Sequence, residues 1–355
     1  MRRYVVVLLL VGLMASVASA TWYWEGDVSN NWSDTGNWND GTVSPPATVP
    51  HTATERMNVP SGTVNVNVSD QIGFLHMGRN DNGGTLGNST VNVNTAGTTL
   101  TVTTGSGELV SVAYSDGYTN ALNVSAGRLN VYRGTGVGEL RLNHVYTATT
   151  KGNVNLSETG VIDVEYLNKG DRAAGGNFAA TGGTLVARNI INKFGLVGEG
   201  YTGFRLGGAR LEVASYADRN NVIGSVALGS GQSMDFIMDS TSKVNFDLGL
   251  SANNGGVAGT NWDLLTSRGF YTIAGQLLVN FLVAPTIGDY WDVWKILGGY
   301  EATFSGLGSF DNLPSNIQAS WENGGDTLRL TYIPEPATIA LFGLGLLALR
   351  RNKKK

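Results

Sequence analysis

The chain has 355 residues, a formal net charge of −4 and no cysteine, and only 15% of its residues are charged. The acidic balance excludes the basic surface that nucleic-acid binding requires, so we expect no nucleic-acid partner. The absence of cysteine excludes disulfides, thiolate catalysis and cysteine-ligated zinc. The three histidines, His51, His76 and His144, lack metal-ligand spacing, so we predict neither a metal site nor a cofactor.

The first twenty residues have the three parts of a secretory signal peptide. Two arginines supply the positive start, an apolar run follows, and Ala18 and Ala20 form a small-residue cleavage site. We therefore predict a signal peptide over residues 1–20, export through the Sec translocon, and Thr21 as the first mature residue. The alternative is an uncleaved membrane anchor at this end.

At the other end, Pro334, Glu335 and Pro336 precede an apolar run over residues 337–349. A helix of this length spans about 20 Å, against about 30 Å of hydrocarbon, so length alone favours a buried core helix. The basic residues that follow favour a short transmembrane helix instead, because their long side chains can reach the interface and mark a cytoplasmic end. These basic anchor residues are Arg350, Arg351, Lys353, Lys354 and Lys355.

Residues 333–338, Gly343, Gly345 and the basic end together resemble the PEP-CTERM sorting signal. The resemblance implies processing by exosortase, an integral-membrane cysteine transpeptidase of bacteria that make exopolysaccharide. It implies that the protein is anchored in the membrane in transit and then resides on the cell surface or in the extracellular, biofilm-type matrix. The same tail is also catalogued as an ice-binding-protein C-terminal motif. The resemblance covers residues 333–355 and says nothing about activity.

Four tryptophans lie close together at the start of the mature chain: Trp22, Trp24, Trp32 and Trp38. Rings this large must be buried or used for binding. We predict an N-terminal cap over residues 21–62 that closes the open end of a repeat stack; the alternative is carbohydrate stacking. The pattern resembles the start of exported β-repeat proteins of the autotransporter-associated type.

Residues 63–233 contain recurring units of two short alternating strands around a glycine, with the glycines at 97, 127, 160, 183 and 208. Alternation places Leu122, Val124, Leu129 and Val131 on one inward face. The recurrence predicts an all-β fold, a right-handed parallel β-helix or β-solenoid, in which the glycines adopt positive φ and inward asparagines can form ladders. The alternative is a sandwich of antiparallel hairpins.

From about residue 234 the strands become longer, and we predict a C-terminal β module over residues 234–332 that forms a β-sandwich-like cap. The amino-acid sequence of this module resembles the closing module of the same autotransporter-associated proteins. Four tryptophans are expected to close this second end: Trp262, Trp291, Trp294 and Trp321.

The densest charged cluster consists of Asp163, Glu165, Lys169, Asp171 and Arg172. Polysaccharide hydrolysis needs two positioned carboxylates, and lyase chemistry needs a base beside a cation. Alternation points Asp163 and Glu165 outward, as on any solvated strand face. We therefore assign no catalytic residue.

Three weaker signals remain. Asp289 and Asp292 flank aromatic residues near a turn and need no catalytic role. Residues 79–84 form an Asp/Asn/Gly-rich turn that lacks the closing glutamate of a calcium loop. Residues 98–104 carry several threonines, but ice binding requires an array, and the neighbouring repeats lack equivalent threonines.

The sequence thus predicts an exported, non-enzymatic β-solenoid of the cell surface or exopolysaccharide matrix, with a structural or adhesive role. Its expected partners are exosortase, the Sec translocon, the membrane through the C-terminal helix, and exopolysaccharide. A carbohydrate-active enzyme is the first alternative, and a glycan- or ice-binding surface protein is the second.

Overall fold

The computed structural model describes residues 20–40, 51–83, 85–103, 108–115, 117–132, 138–144, 151–168, 177–191, 204–213, 225–228, 236–267, 271–273, 275–297 and 313–335. These residues are almost entirely β-strands and turns, with three short 3₁₀ turns at Thr35–Asn37, Ala252–Asn254 and Asn323–Gly325. The expected signal peptide through residue 19 and the expected transmembrane helix over 337–349 lie outside the described residues.

The strands are numbered in chain order. The first fourteen are β1 (Thr21–Trp24), β2 (Trp38–Asn39), β3 (Arg56–Val59), β4 (Gly62–Asn65), β5 (Asp70–Ile72), β6 (Phe74–Met77), β7 (Ser89–Val93), β8 (Thr99–Val102), β9 (Glu108–Ala113), β10 (Thr119–Val124), β11 (Arg128–Val131), β12 (Glu139–Asn143), β13 (Lys151–Leu156) and β14 (Val161–Asn168). The others are β15 (Asn177–Ala180), β16 (Thr184–Ile191), β17 (Phe204–Leu206), β18 (Arg210–Val213), β19 (Ser225–Leu228), β20 (Phe236–Met238), β21 (Lys243–Leu248), β22 (Leu264–Ser267), β23 (Tyr271–Ile273), β24 (Gln276–Phe281), β25 (Tyr290–Ile296), β26 (Ile317–Glu322) and β27 (Thr327–Tyr332).

The strands stack in parallel on three faces, which makes the body a parallel β-solenoid. The first face is an eight-stranded sheet that runs from β4 through β7, β10, β13, β15, β17 and β20 to β23. The second face runs from β5 through β8, β11, β14, β16, β18 and β21 to β24. The third face runs from β1 through β3, β6, β9 and β12 to the second halves of β14 and β16, then to β19, β22 and β25. The chain visits the faces in turn, so the hairpin-sandwich alternative is wrong.

The inward positions follow the predicted alternation. Leu122 of β10 pairs in register with Val91 of β7 and Val154 of β13, and all three side chains are buried. On the second face, Leu129 stands between Leu100 and Ile162 in the same way. Stacking equivalent apolar residues places them in one continuous core and removes them from water, which is the main favourable term for a chain without disulfides. The prediction of a shared interior for these repeats is confirmed.

The glycine prediction is confirmed at three of its five positions. Gly97, Gly183 and Gly208 adopt positive φ, whereas Gly127 and Gly160 do not. At Gly127 a side chain is excluded by crowding, because an added Cβ would lie 2.7 Å from Val93 Cγ1. This glycine therefore allows adjacent coils to approach closely rather than providing a left-handed bend.

The parallel stacking continues across the expected boundary between residues 233 and 234. β17 pairs with β20, and β18 pairs with β21, both in parallel. Among the described strands at this end, β27 pairs antiparallel with both β25 and β26. The C-terminal cap is therefore a short antiparallel layer added to the last strand of the third face.

Tryptophans close both ends of the stack by burial. At the N-terminal end, Trp38 makes edge-to-face contacts with Trp24 and Trp32 at ring separations of 5.0 and 4.8 Å. At the C-terminal end, Trp291 and Trp294 are buried, and their indole N–H groups donate to Gly249 O and Ser267 Oγ. Because the N-terminal rings, including Trp22, are buried as well, they do not offer the open faces that carbohydrate stacking needs.

Candidate functional site

The sorting motif begins where the last strand ends. The Tyr332 N–H donates to Asp289 O, and the Ile333 N–H donates to Asn316 O, each at 2.8 Å. Pro334 has no N–H to continue the pairing, and Glu335 is exposed. The strand pairing therefore stops at Pro334, the first residue of the Pro-Glu-Pro motif. Pro336 lies outside the described residues.

Of the other predicted processing residues, only Ala20 is described. Its carbonyl accepts a hydrogen bond from Arg56 N at 2.9 Å, next to the pairing of β1 with β3. Thr21, the expected first mature residue, pairs in register with Arg56, so β1 joins the stack from that residue. Ala18 and the basic anchor Arg350, Arg351, Lys353, Lys354 and Lys355 lie outside the described residues.

The expectation that Asp163 and Glu165 both point outward is wrong for Glu165, which is 1% exposed. Residues before it in β14 pair with β11, and Tyr166 onward pair with β12, so Glu165 occupies the corner between two faces. Alternation is interrupted there, and the carboxylate turns inward to accept a hydrogen bond from Gly138 N.

Asp163 remains on the outside of β14, where it forms an ion pair with Arg128 of β11. The two carboxylates therefore lie on different sides of the strand and do not form the pair that glycoside hydrolysis uses. The remaining members of the cluster, Lys169, Asp171 and Arg172, lie outside the described residues.

Asp289 and Asp292 have structural partners. Asp289 accepts hydrogen bonds from Thr286 N, Thr286 Oγ1 and Asn254 Nδ2 at 2.7 to 2.9 Å. Burial raises the pKa of Asp289, but the hydrogen bonds from Thr286 and its neighbours outweigh burial and hold the pKa below its usual value. Asp292 forms an ion pair with Arg329 of β27 at 2.8 Å, which fastens the antiparallel layer to β25.

Each of the three histidines contacts neighbouring side chains of the fold. The His51 ring contacts Asp70 at 2.6 Å in the tryptophan cap. His76 and His144 both stack on Tyr114, at ring separations of 5.0 and 4.3 Å. Within the described residues no group of histidine and acidic side chains is arranged to hold a metal ion.

A ladder of asparagines runs along the outside of the first face. Asn92 Nδ2 donates to Asn65 Oδ1 at 2.9 Å, and Asn123 and Asn155 continue the chain at 2.8 Å each. The expected ladder therefore exists, but it is outward, because the inward alternate positions are taken by Leu and Val. Each amide satisfies its neighbour and leaves an uncharged polar surface.

The threonine stretch does not form an array. Thr99 and Thr101 are outward, whereas Thr98 is buried and donates to Thr95 O at 2.6 Å. Thr101 pairs in register with Gln71 on one neighbouring coil and with Asn130 on the other, so the equivalent positions of adjacent coils do not carry threonine. The turn at residues 79–83 is held by an ion pair of Arg79 with Asp81 at 2.8 Å.

A polar cleft of about 860 Å³ opens beside the N-terminal cap. Three segments that are distant in sequence line it: residues 23–27, 39–40 and 80–85, with a fourth contribution from Pro60 and Ser61. No lysine or arginine lines the described part of the cleft. Its carboxylates are Glu25, Asp27 and Asp40, and its amides are Asn39, Asn80 and Asn82.

Trp24 contributes an open hydrogen-bond donor to this cleft. The side chain is 4% exposed, and its indole N–H has no hydrogen-bond partner among the described residues. Gly26 and Gly62 lie next to this nitrogen, where an added Cβ would stand 3.0 and 3.6 Å away. Because neither carries a side chain, the N–H remains accessible. Burial, together with the charge of Asp81, raises the pKa of the nearby Tyr23 phenol, so that ring is a neutral lining group.

The described residues form a parallel β-solenoid, and the chain leaves it at the end of its last strand. Residues 333–354 match the PEP-CTERM protein-sorting motif, which confirms the resemblance seen in the sequence. The motif indicates an exported protein that is sorted by exosortase and processed at the membrane. No curated protein and no solved structure matches the chain. Within the described residues no helix is long and apolar enough to cross a membrane.

Proposed function

We propose that the mature chain is a non-enzymatic structural or adhesive component of the cell surface or exopolysaccharide matrix. The observation that carries the proposal is the position of the sorting motif, which starts directly after the last strand of the solenoid. A body of stacked coils with an uncharged amide ladder on one face supports a scaffold role. The buried position of Glu165 removes the best carboxylate pair that the sequence offered for catalysis.

Sorting is tested by replacing the five basic anchor residues with glutamine in the native host. We expect loss of membrane retention or accumulation of the unprocessed precursor, because the neutral tail no longer fixes the cytoplasmic end of the helix. A matched control replaces the exposed Lys151 and Lys243 of the body with glutamine. Unchanged processing and distribution in the tail variant would refute the sorting proposal.

Absence of catalysis is tested with purified wild-type protein on a panel of neutral and acidic polysaccharides. We expect no turnover. Turnover by the wild type that Asp163→Asn abolishes would establish the carbohydrate-active alternative and overturn the structural proposal.

A second candidate function is glycan binding at the cap cleft, and the accessible Trp24 N–H is the observation that favours it. We propose that the cleft takes a non-acidic glycan. Its carboxylates and amides can accept hydrogen bonds from sugar hydroxyls, and its carboxylates would repel the negative charge of uronic acids. This proposal concerns the adhesive role and does not depend on sorting.

The cleft is tested by calorimetric titration with neutral, amino-sugar and uronic-acid oligosaccharides. Trp24→Phe keeps a ring but removes the donor, so we expect about fivefold weaker binding, the value of one ordinary hydrogen bond. Asp27→Asn should also weaken binding, whereas Asp326→Asn, an exposed carboxylate near the other end, is the matched control. Preference for uronic acids, or equal binding by all variants, would contradict the proposed site.

A further inference from the structure

Most of the exposed large apolar side chains of the described residues lie at one end of the molecule. Seven such residues are exposed in the described part of the chain, and five of them lie in two loops that we call the exit loops, residues 249–261 and 282–288. The five are Leu250, Val257, Leu282, Val283 and Ile287. Scattered surface hydrophobics are ordinary, but a cluster in adjoining loops marks an interaction surface.

The exit loops also lack charge. Neither residues 249–261 nor residues 282–288 contain an aspartate, glutamate, lysine or arginine, in a chain that is 15% charged. The opposite end is different, since residues 25–40 carry four acidic side chains. A surface without charge can enter a medium of low polarity without the large desolvation penalty of an ion.

The two loops touch each other and the chain exit. Asn253 Nδ2 donates to Gly288 O at 3.4 Å and to Asp289 Oδ1 at 3.3 Å, which joins the loops. The Gly288 N–H donates to Tyr332 O at 2.9 Å, and the Phe281 ring lies 6.0 Å from the Tyr332 ring. Tyr332 is the last residue of the body, so both ends of the second loop lie at the point where the sorting motif leaves.

Only residues 333–336 separate this point from the apolar run of the sorting motif. Four extended residues span at most about 14 Å. The unprocessed chain therefore cannot hold its C-terminal end far from the bilayer into which the motif directs it. The loops nearest to that surface are the apolar and uncharged ones.

We propose that the exit loops are a membrane-seating surface, which places Val283 and Ile287 in the lipid interface while the unprocessed protein awaits exosortase. The occupant is the outer face of the lipid bilayer, since apolar loops beside a short tether meet lipid first. The acidic N-terminal end faces away, because anionic lipid repels it. The inference rests on the membrane processing that the sorting motif indicates.

The chain contains no cysteine, so a single introduced cysteine labels one site only. We would place an environment-sensitive fluorophore at Ile287→Cys in the chain that lacks the expected signal peptide but keeps the sorting tail (residues 21–355), reconstituted in vesicles of phosphatidylethanolamine and phosphatidylglycerol. The matched control is Val28→Cys at the opposite end, since both residues are 66% exposed. Val283→Cys provides a second position in the same loop if the first variant fails to fold.

We expect the label at residue 287 or 283 to shift its emission to shorter wavelength and to be quenched by doxyl-labelled lipid. The label at residue 28 should show neither effect. A chain that floats with the vesicles while the label at 287 behaves like the label at 28 overturns the seating surface alone. A wild-type chain that does not float overturns the membrane anchoring together with it.

Discussion

The most informative test of the N-terminal cap is Asp70→Asn. Asp70 is buried in β5, where its carboxylate accepts hydrogen bonds from Trp32 Nε1, from both the His51 backbone N–H and its ring, and from Gln71 N. The distances to the two His51 atoms are 2.6 Å each. This carboxylate therefore ties the tryptophan cap to the first strand of the second face.

The substitution replaces one acceptor oxygen by an NH₂ group of the same size. His51 can adapt by moving its ring proton, but the Trp32 N–H cannot, so one buried donor loses its acceptor. An orphaned donor costs about 1–3 kcal/mol, and the loss of a charge-assisted hydrogen bond adds about 1.5–3 kcal/mol. We therefore expect a loss of about 2.5–6 kcal/mol in the free energy of unfolding.

The assay is urea unfolding of the purified mature protein, followed by tryptophan fluorescence, since Trp32 and Trp38 lie within the affected cluster. Asp81→Asn is the matched control, because the Asp81 carboxylate is exposed and pairs with Arg79; its loss should lower the free energy of unfolding by less than about 1 kcal/mol. Equal stability losses in the two variants would refute the assignment of Asp70 as the cap's buried anchor.

Three further sets of substitutions test the packing of the coils and the hydrogen bonds of Asp289. Leu129→Ala should lower the free energy of unfolding by about 2–5 kcal/mol in denaturant titrations, because it leaves a cavity between two coils; a loss below about 1 kcal/mol would contradict the packing. Glu165→Ala should cost about 1–3 kcal/mol because it leaves the Gly138 N–H without this acceptor, whereas Asp163→Ala should cost under about 1 kcal/mol; the reverse order would place Glu165 outside. Since the pKa of Asp289 is lowered by folding, its contribution is present above the unfolded pKa of about 3.9 and is lost as pH falls through the lower folded value. Asp289→Asn should therefore destabilise the protein at pH 6 but progressively less in acid, and a difference independent of pH would disprove the linkage.

Local patterns were enough to predict the interior of the coils. Strict alternation in Leu122–Val124 and Leu129–Val131 fixes which side chains face inward, and the structure follows it. The sorting motif was equally readable, because its three parts are contiguous in the sequence.

Features that depend on how coils meet could not be predicted from the sequence. Glu165 turns inward because it falls at a corner, and the position of a corner depends on where the neighbouring coil bends. The role of Gly127 follows from a contact with the preceding coil. The cap cleft combines segments that are separated by tens of residues, and no pattern within a single segment predicts it. The apolar exit loops contain few hydrophobic residues, and only the fold brings them together.

The eight-stranded first face gives the protein a fixed length. Seven strand spacings of about 4.8 Å separate β4 from β23, a distance of about 34 Å along the stack. Since each coil contacts only its neighbours, adding or removing one coil would change this length by about 5 Å and leave both caps as they are. The number of coils thus sets the distance between the N-terminal tryptophan cap and the strand from which the sorting motif leaves.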